Sequence, residues 1–380
     1  MRRIALDVTR LVGRALKGRL PTGIDRVGLA YVDHYRARAQ AVVRVADRPL
    51  LAGAEASDRL FAQLLTGPVA TARERLRLLE ATSRLVPERV RPEEFVLVHT
   101  GHGGLERPDF LRRWSRAGGH ALTFVHDLIP ITHPEFARAG EAEKHEARMR
   151  AALSCSSAIV VNSAATEREL RSFAKAKDLA VPAVAVAHLG VSALPDPAPL
   201  RPIAEPYFVV LGTIEARKNH WLLVQLWRRL VETHGERAPK LVIIGQRGWE
   251  CEHVFAALDR CTPLRNAVLE RGDLRDAELA TYLHHARALL FPSFVEGYGL
   301  PLVEGLAAGL PVVASPLPVF RELAGDAPTY IDPLDGAAWL TAVEDLARRT
   351  PTEARGRLGF TAPSWSDHFA VIDETLARLG

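Results

Sequence analysis

The sequence predicts an α/β protein built from two doubly wound, Rossmann-like parallel-sheet domains, and three observations carry that prediction. Short β-branched runs alternate with longer helical patterns along the whole chain, which is how successive βαβ units read. The 380 residues suit about two domains. Near the middle, Leu194-Pro-Asp-Pro-Ala-Pro-Leu-Arg-Pro202 sets four prolines in nine residues, a segment that neither a helix nor a central strand accepts and that reads as an extended linker.

Taken in order, the strands expected before the linker are Ile4–Asp7, Phe95–Val98, Ala121–Val125, Ala158–Val161 and Val184–Val186. After it come Tyr207–Leu211, Lys240–Ile244, Val268–Leu269, Ala288–Phe291 and Pro311–Ala314. These short apolar runs alternate with longer helical patterns, so both halves read as doubly wound parallel sheets. No repeat of solenoid length is present.

Composition narrows the function classes. Hydrophobic residues make up 48% and charged residues 25% of the chain, and mean hydropathy is close to zero, which excludes disordered, collagenous and coiled-coil chains. No run approaches the roughly 18 apolar residues of a membrane-spanning helix. The opening Met1-Arg-Arg-Ile-Ala-Leu-Asp7 meets an acid before a signal-peptide core could form, so a cytoplasmic location is expected. Cys155, Cys251 and Cys261 are odd in number and widely spaced, which suggests buried thiols rather than disulfides or a zinc site. The net charge of +4 hides an asymmetry, because residues 1–200 hold 30 Lys+Arg against 22 Asp+Glu and the remainder 19 against 23. A basic half suits an acidic partner such as nucleic acid, an anionic membrane or a phosphorylated substrate. A stretch such as Arg73-Glu-Arg-Leu-Arg-Leu-Leu79 reads first as a helix with a solvated face.

The densest chemical signal is Phe291-Pro-Ser-Phe-Val-Glu-Gly-Tyr-Gly-Leu-Pro-Leu-Val-Glu-Gly305, a buried strand running through a glycine-rich turn into a helix. Gly297 and Gly299 permit close backbone approach, Pro301 suits a first helical turn, and amides from Leu300 to Val303 would face an anion. Glu296 stands at the loop mouth and Glu304 one turn inside the helix. Two acids beside a phosphate seat are costly unless they bind hydroxyls or cations; a helix start with favourable acids is the plainer alternative. Gly212-Thr-Ile-Glu-Ala-Arg-Lys-Asn219 follows the strand Tyr207–Leu211 and sets Gly212, Thr213, Arg217 and Lys218 where an open α/β sheet binds ligands. The two cations suit a pyrophosphate clamp, or else a solvated charged loop. Gly245-Gln-Arg-Gly-Trp249 ends the next strand and would join the same crevice. In the first half, Phe124-Val-His-Asp-Leu-Ile-Pro130 puts His126 and Asp127 at a strand's carboxyl end, where a structural histidine is as common as a catalytic one. Thr22-Gly-Ile-Asp-Arg26, after a loop carrying Arg14, Lys17 and Arg19, reads as a glycine turn opening a helix, with Gly23 and Arg26 as ligand-facing candidates; a simple helix start is the alternative.

Together these residues resemble the family-4 retaining glycosyltransferases of the GT-B fold, from about Phe124 onward and most specifically over 207–316. In that family two facing Rossmann-like domains hold a nucleotide-sugar in the cleft between them. The resemblance implies that Glu304 holds the nucleotide ribose, that Glu296 lies beside the transferred sugar, and that Arg217 and Lys218 bind the diphosphate with the helix-entry glycines Gly297 and Gly299. Arg271-Gly-Asp-Leu-Arg-Asp-Ala-Glu-Leu279, including Leu274, looks like the family's base-binding loop. His126 matches a histidine contacting the donor sugar, and Ser163 of Val161-Asn-Ser163 a small polar cleft residue; with Gly23, Arg26 and Asp127, Ser163 makes up the acceptor side. His188-Leu-Gly-Val191 resembles the turn before the interdomain linker, and Ser364-Trp-Ser366 the start of a final helix that crosses back. The domains then run 1–193, linker 194–205, 206–360, and the crossing helix 361–380. The double glycine common after the family's first strand is replaced by Thr22-Gly23-Ile24.

The implied reaction is transfer of a sugar from a nucleotide diphosphate donor to an acceptor hydroxyl with retention, by front-face attack in which the donor phosphate takes the acceptor's proton. Arg217, Lys218 and helix amides would stabilise the departing anion, and Glu296 and His126 would orient the sugar. No Asp-x-Asp pair occurs in the chain, so no metal and no cofactor are expected. Similar bacterial enzymes transfer mannose or rhamnose into surface polysaccharides, which makes GDP-mannose the first expected donor and a UDP- or dTDP-sugar the second. A glycan or lipid-linked acceptor is expected, with peripheral docking on the inner face of the cytoplasmic membrane. A nucleotide-sugar epimerase or hydrolase is the rival on the same fold. A nicotinamide dehydrogenase lacks its Gly-x-Gly-x-x-Gly after the first strand, and a nucleic-acid binder lacks aromatic residues interleaved with the arginines.

Overall fold

The computed structural model describes residues 2–19, 21–45, 48–67, 91–272, 274–349 and 359–380, with Glu74, Leu78 and Glu80. The chain divides into two compact units. The first holds Met1–Thr132, Ala139–Leu189 and Trp365–Gly380, and the second His133–Arg138 and Gly190–Ser364. The boundary thus falls at Leu189, before the proline-rich stretch rather than inside it. That stretch is tied to the second unit: the Ala198 N–H donates to Thr281 Oγ1 at 3.0 Å, and His285 Nε2 donates to the Ala198 carbonyl at 3.0 Å. Arg73, Arg75 and Arg77, singled out above, lie outside the described residues.

In the first unit the strands are β1 (Arg3–Asp7), β2 (Ala39–Val45), β3 (Arg48–Leu51), β4 (Phe95–His99), β5 (His120–Val125), β6 (Ala158–Val161) and β7 (Ala183–Val186). They assemble in the order β3-β2-β1-β4-β5-β6-β7. All pairings are parallel except β2 with β3. The second unit has β8 (Tyr207–Leu211), β9 (Lys240–Ile244), β10 (Val268–Arg271), β11 (Leu289–Phe291), β12 (Val312–Ala314) and β13 (Thr329–Tyr330), ordered β10-β9-β8-β11-β12-β13 and parallel throughout. Both are doubly wound sheets, as expected, and in both the order reverses beside the first strand, between β1 and β4 and between β8 and β11. Every expected strand is present within two residues. The additions β2, β3 and β13 are edge or next-to-edge strands. Pro49 lacks a ladder donor, so β3 reads as no strand in sequence, yet an edge position tolerates it.

Burial explains why the sheets hold. In β4, β6 and β8 every residue is buried, as both faces of a helix-covered parallel sheet require. Trp227 and Trp339 are fully buried beside Phe208 and Leu241 in the second core. Their indole N–H groups donate to the Pro239 and Asp332 carbonyls at 2.8 and 2.9 Å, which removes the cost of burying a polar tip. The C-terminal helix Trp365–Leu379 belongs to the first unit. There His368 Nδ1–H donates to the His188 carbonyl at 3.1 Å, its Nε2 accepts from Tyr31 at 3.0 Å, Phe369 stacks on His34, and the Tyr35 hydroxyl donates to Asp373 at 2.9 Å. Among the described residues no helix is long and apolar enough to cross a membrane, and the three cysteines are unpaired.

Candidate functional site

The reversal point of the second sheet gathers the charged residues singled out in sequence. The chain leaves β8 at Gly212, whose φ of 119° is a left-handed conformation suited to glycine. A β-carbon there would stand 2.9 Å from Lys218 Cε, so the lysine side chain runs directly beneath this turn. Gly245, at the end of β9, is held closer still: a β-carbon would sit 2.1 Å from the Gly212 carbonyl oxygen, and at Gly248 one would sit 2.6 Å from that of Ile214. The glycines thus let two backbones cross above the sheet ends.

Beneath them, Glu296 accepts from Lys218 Nζ at 2.8 Å and from Ser293 Oγ at 2.9 Å, and pairs with Arg217 at 2.5 Å. Arg217 also pairs with Glu215 at 3.3 Å and donates to the Val295 carbonyl at 3.3 Å. Lys218 and Glu296 are buried side chains, 7% and 8% exposed, and Lys218 lies over the Phe291 ring. Burial pushes the Glu296 carboxyl up, but Arg217 and Lys218 outweigh it and hold the group down to about 2. Burial holds the Lys218 ammonium below its ordinary range, with Glu296 pulling the other way. Two cations and two carboxylates therefore make a closed, balanced quartet. The expectation of two cations free for a diphosphate is sharpened accordingly, because each already carries a carboxylate.

The helix entry is as the sequence predicts in outline. Gly299, at φ 107°, precedes the helix Leu300–Ala307 with Pro301 in its first turn, and Glu304 is buried one turn inside. Pro301 has no N–H, and the amides of Leu302 and Val303 both turn to the Gly299 carbonyl, at 2.9 and 3.3 Å. The set of amides that could face an anion is therefore narrower than Leu300–Val303. Leu274 precedes the helix Asp276–His285, whose start is closed by a box between Arg275 and Glu278. Thr213 and Gly297 lie in the loops after β8 and β11.

In the first unit the expected residues are largely committed to structure. His126 is buried at the end of β5; its Nε2–H donates to the Thr100 carbonyl at 2.7 Å, and burial lowers its pKa to about 4. Its own N–H donates to His102 Nε2 at 3.0 Å. Asp127 accepts from the Ile129 N–H at 3.1 Å. Ser163 caps the helix Ala164–Ala176, accepting from the Thr166 N–H and donating to the Thr166 hydroxyl, both at 3.0 Å. Gly23 and Arg26 stand in the first turn of the helix Gly23–Tyr35, closed by a Thr22/Asp25 capping box. Buried Asp25 also receives Arg10 at 2.8 Å and Arg14 at 2.7 Å, so part of the basic loop is neutralised there.

Sequence reasoning missed three participants. Glu215 and Ser293 belong to motifs already quoted and could have been read from them. His220, the first residue of the helix His220–His234, is 1% exposed, and its ring lies against the backbone of Glu215. Burial, then Lys218 and Arg217, lowers its pKa to about 3. A neutral ring there spares the quartet a third positive charge.

Comparison with known proteins follows the same division of the chain. The model of the family described as glycosyl transferases group 1 matches residues 197–359. Over 165 residues the chain is 33% identical to the O-antigen chain mannosyltransferase B of Escherichia coli, covering 42% of this chain and 43% of that protein. It is 27% identical over 234 residues to the serotype-specific mannosyltransferase WbdA of Escherichia coli, covering 56% of this chain and 28% of that one. With the O-antigen chain mannosyltransferase RfbU of Salmonella typhimurium it shares 36% over 142 residues, or 37% of this chain and 38% of the relative. The chain thus spans less than half the length of these curated relatives. Among solved structures, sucrose-phosphate synthase from Thermosynechococcus elongatus superposes with a TM-score of 0.66 at 16% identity over 100% of this chain and 99% of that one. Anabaena HepE, solved in complex with UDP, superposes with a TM-score of 0.63 at 16% identity over the whole of both chains. At these identities the likeness is one of fold, the two parallel-sheet α/β domains of GT-B proteins.

Proposed function

We propose that the protein, whose residues 197–359 match the glycosyl transferases group 1 model, is a retaining glycosyltransferase acting in surface polysaccharide or glycolipid synthesis. The observation that carries the proposal is the Glu215–Arg217–Lys218–Glu296 quartet beneath the glycine crossing at the β8/β11 reversal point, where an open sheet of this kind takes a nucleotide. The donor proposed is GDP-mannose, in keeping with mannosyltransferase relatives, and a UDP- or dTDP-sugar is the second choice. The acceptor is a glycan or lipid-linked hydroxyl.

In the proposed reaction the bond from the anomeric carbon to the diphosphate breaks with its electron pair leaving on the phosphate. The acceptor oxygen attacks from the same face and its proton passes to that phosphate oxygen. A diphosphate entering the site competes with Glu296 and Glu215 for Arg217 and Lys218. Interaction with both cations strengthens as negative charge grows on the leaving group. The Glu296 carboxylate, released from the cations, then faces the positive charge developing at the anomeric carbon. Cations in this position can do the work of a metal, so we propose a metal-independent, cofactor-free reaction, and activity should survive chelation. We also place the protein in the cytoplasm, peripheral to the membrane. The helix Asp109–Arg116 buries Phe110, Leu111 and Trp114 and exposes Arg112, Arg113 and Arg116, worth about 1 kcal/mol each at an anionic surface. Sedimentation with anionic but not neutral vesicles, lost at high salt, is the expected result.

The two glutamates test the assignment. Glu304, at the proposed ribose position, makes contacts that change little during reaction, so Glu304→Gln should weaken free-nucleotide binding and leave turnover at saturation nearly intact. Glu296→Gln removes the charge that balances Arg217 and Lys218, so free nucleotide diphosphate should bind as well or better while turnover falls steeply. Calorimetry with GDP and steady-state kinetics with GDP-mannose separate the two. Loss of nucleotide binding in Glu296→Gln with normal turnover would reverse the roles.

A further inference from the structure

The first sheet has its own reversal point, between β1 and β4, and none of the candidate site residues named so far occupies it. Asp7 ends β1 and His99 ends β4. The Asp7 carboxylate is reached by His99 Nδ1 at 2.9 Å, by Arg44 Nε at 2.9 Å and by the Thr9 N–H at 2.9 Å. Arg44, 8% exposed, continues to the Gly103 carbonyl at 2.7 Å, so the carboxylate and the guanidinium are locked between β2 and the loop after β4. Burial alone would raise the Asp7 carboxyl, but Arg44 and His99 outweigh it and hold the group ionised, well below the ordinary carboxylate range. An ionised carboxylate only accepts, so His99 must present its Nδ1–H to it, and the ring's orientation and tautomer follow.

The other ring nitrogen, His99 Nε2, is buried and has no hydrogen-bond partner among the described residues. His99 lines a cavity of about 20 Å³ bounded also by Asp7, Arg10, Thr100 and Gly101, with Arg10 and Gly103 exposed at its rim. Gly28 keeps the space open from the helix side, since a β-carbon there would press on Leu11 at 3.3 Å and on the Thr100 hydroxyl at 3.4 Å. A space of this size takes one small polar group, and an unpartnered buried nitrogen is costly unless one arrives. A hydroxyl satisfies Nε2 in either protonation state, by donating to the lone pair or accepting from an N–H.

We propose that His99, braced by Asp7 and Arg44, binds one hydroxyl of the sugar acceptor and is the specificity-determining contact on the acceptor side. The inference rests on the transferase reading above, and it makes His99 a positioning residue with no part in bond breaking. A ligand lacking that hydroxyl leaves Nε2 unpaired and is disfavoured, which is how a buried polar group discriminates.

The test uses methyl α-D-mannopyranoside as probe. With the full-length protein, nitrogen NMR of the histidine side chains should show the His99 Nε2 resonance moving as the glycoside is titrated in, with Nδ1 unmoved; no movement overturns the proposal, whether or not the protein proves to be a transferase. In kinetics with GDP-mannose, His99→Phe should raise the KM for the glycoside about tenfold, the size of one lost hydrogen bond, while kcat for donor hydrolysis and GDP affinity stay at wild-type values. His99→Gln, which keeps an acceptor, should recover part of the loss. Should the buried Phe variant fail to fold, Gly101→Ala decides. Its added methyl meets only Arg10 Cδ at 3.4 Å and Ile24 Cγ2 at 3.9 Å, which leaves the fold intact but narrows the cavity. Gly13→Ala, at an exposed position outside the cavity whose β-carbon meets nothing within 4 Å, is the control. An unchanged acceptor KM in Gly101→Ala sinks the proposal, whereas a wild-type protein that neither binds GDP nor turns over any nucleotide-sugar sinks the transferase reading and leaves the NMR result to judge His99.

Discussion

The two units wind their sheets in the same order and fill the same topological position differently. Beside β8 and β11 the second unit sets two cations against two carboxylates under a glycine crossing. Beside β1 and β4 the first unit sets one carboxylate between one arginine and one histidine, with the far side of the histidine facing a small cavity. A balanced quartet can exchange its internal carboxylates for an incoming dianion at little net electrostatic cost. A triad whose charges are already matched has only an unpaired nitrogen to offer, which suits a neutral hydroxyl. Chemistry thus follows from which side chains the loops deliver, on a scaffold common to both.

The widest gap between the regions should appear on removing the second unit's cations. Arg217→Ala with Lys218→Ala should cost several kcal/mol of transition-state stabilisation, since charge-assisted contacts to a leaving group are realised as it departs. It should also destabilise the fold by about 3–5 kcal/mol, because Glu296 is left as an unpaired buried charge. Adding Glu296→Gln should restore most of the stability and none of the turnover. Chemical denaturation and steady-state kinetics on the double and triple variants read the two effects separately; unchanged turnover in the double variant would remove Arg217 and Lys218 from the mechanism.

How much of this was legible beforehand differs between the units in the same way. The second site is spelled in two contiguous runs, Gly212–Asn219 and Phe291–Gly305, so the spacing of charge and glycine announces it locally. What those runs could not show is that Arg217 and Lys218 meet Glu296 rather than standing open, because those contacts join positions 79 and 78 residues apart. In the first unit, Asp7, Arg44 and His99 come from three strands, one of them unrecognised because Ala39-Gln-Ala-Val-Val-Arg-Val45 interrupts its apolar run with Gln40 and Arg44. A usable signal did exist in the glycines of Thr100-Gly-His-Gly-Gly104 directly after a buried strand. His126 and Ser163 show what residue type alone leaves out: besides any contact to a ligand, one anchors a loop and the other caps a helix.

Acid should separate the units next. In the first unit His126 and His368 are held down to about 4, and His102 well below its ordinary range, all chiefly by burial. The unfolded chain takes up these protons near the ordinary value of 6.5 and the folded chain does not. The stability each ring contributes is therefore fully present above 6.5 and is lost as pH falls, for His126 and His368 towards about 4 and at about 3 kcal/mol each. The Glu296 contribution has its own window, present above 4.5 and lost as pH falls to about 2. The second unit is not immune, since His220 is lowered to about 3, but it carries one such ring against three. Segment-resolved hydrogen exchange at pH 7 and pH 5, corrected for intrinsic rates, should show protection falling further in β4, β5 and the helix Trp365–Leu379 than in β8 and β9. Equal losses would mean that the buried histidines do not control acid stability.

The smallest effect belongs to an arginine that resembles Arg217 on paper. Arg247 reaches Asp259 at 2.5 Å and Glu270 at 2.7 Å, two carboxylates as Arg217 has, and with shorter contacts to both than Arg217 makes to Glu215. Its side chain is 39% exposed and Asp259 is 53% exposed, against 18% for Arg217 and 8% for Glu296. Exposed charges remain solvated when a partner is removed and are screened by salt, so little attraction is lost. Arg247→Ala should leave the melting temperature within experimental scatter and nucleotide binding unchanged, and moderate salt should not widen the difference from wild type. A destabilisation as large as that from removing Arg217 and Lys218 would show that contact number rather than burial sets the strength of these pairs, and the contrast drawn between the buried quartet and the surface would fall with it.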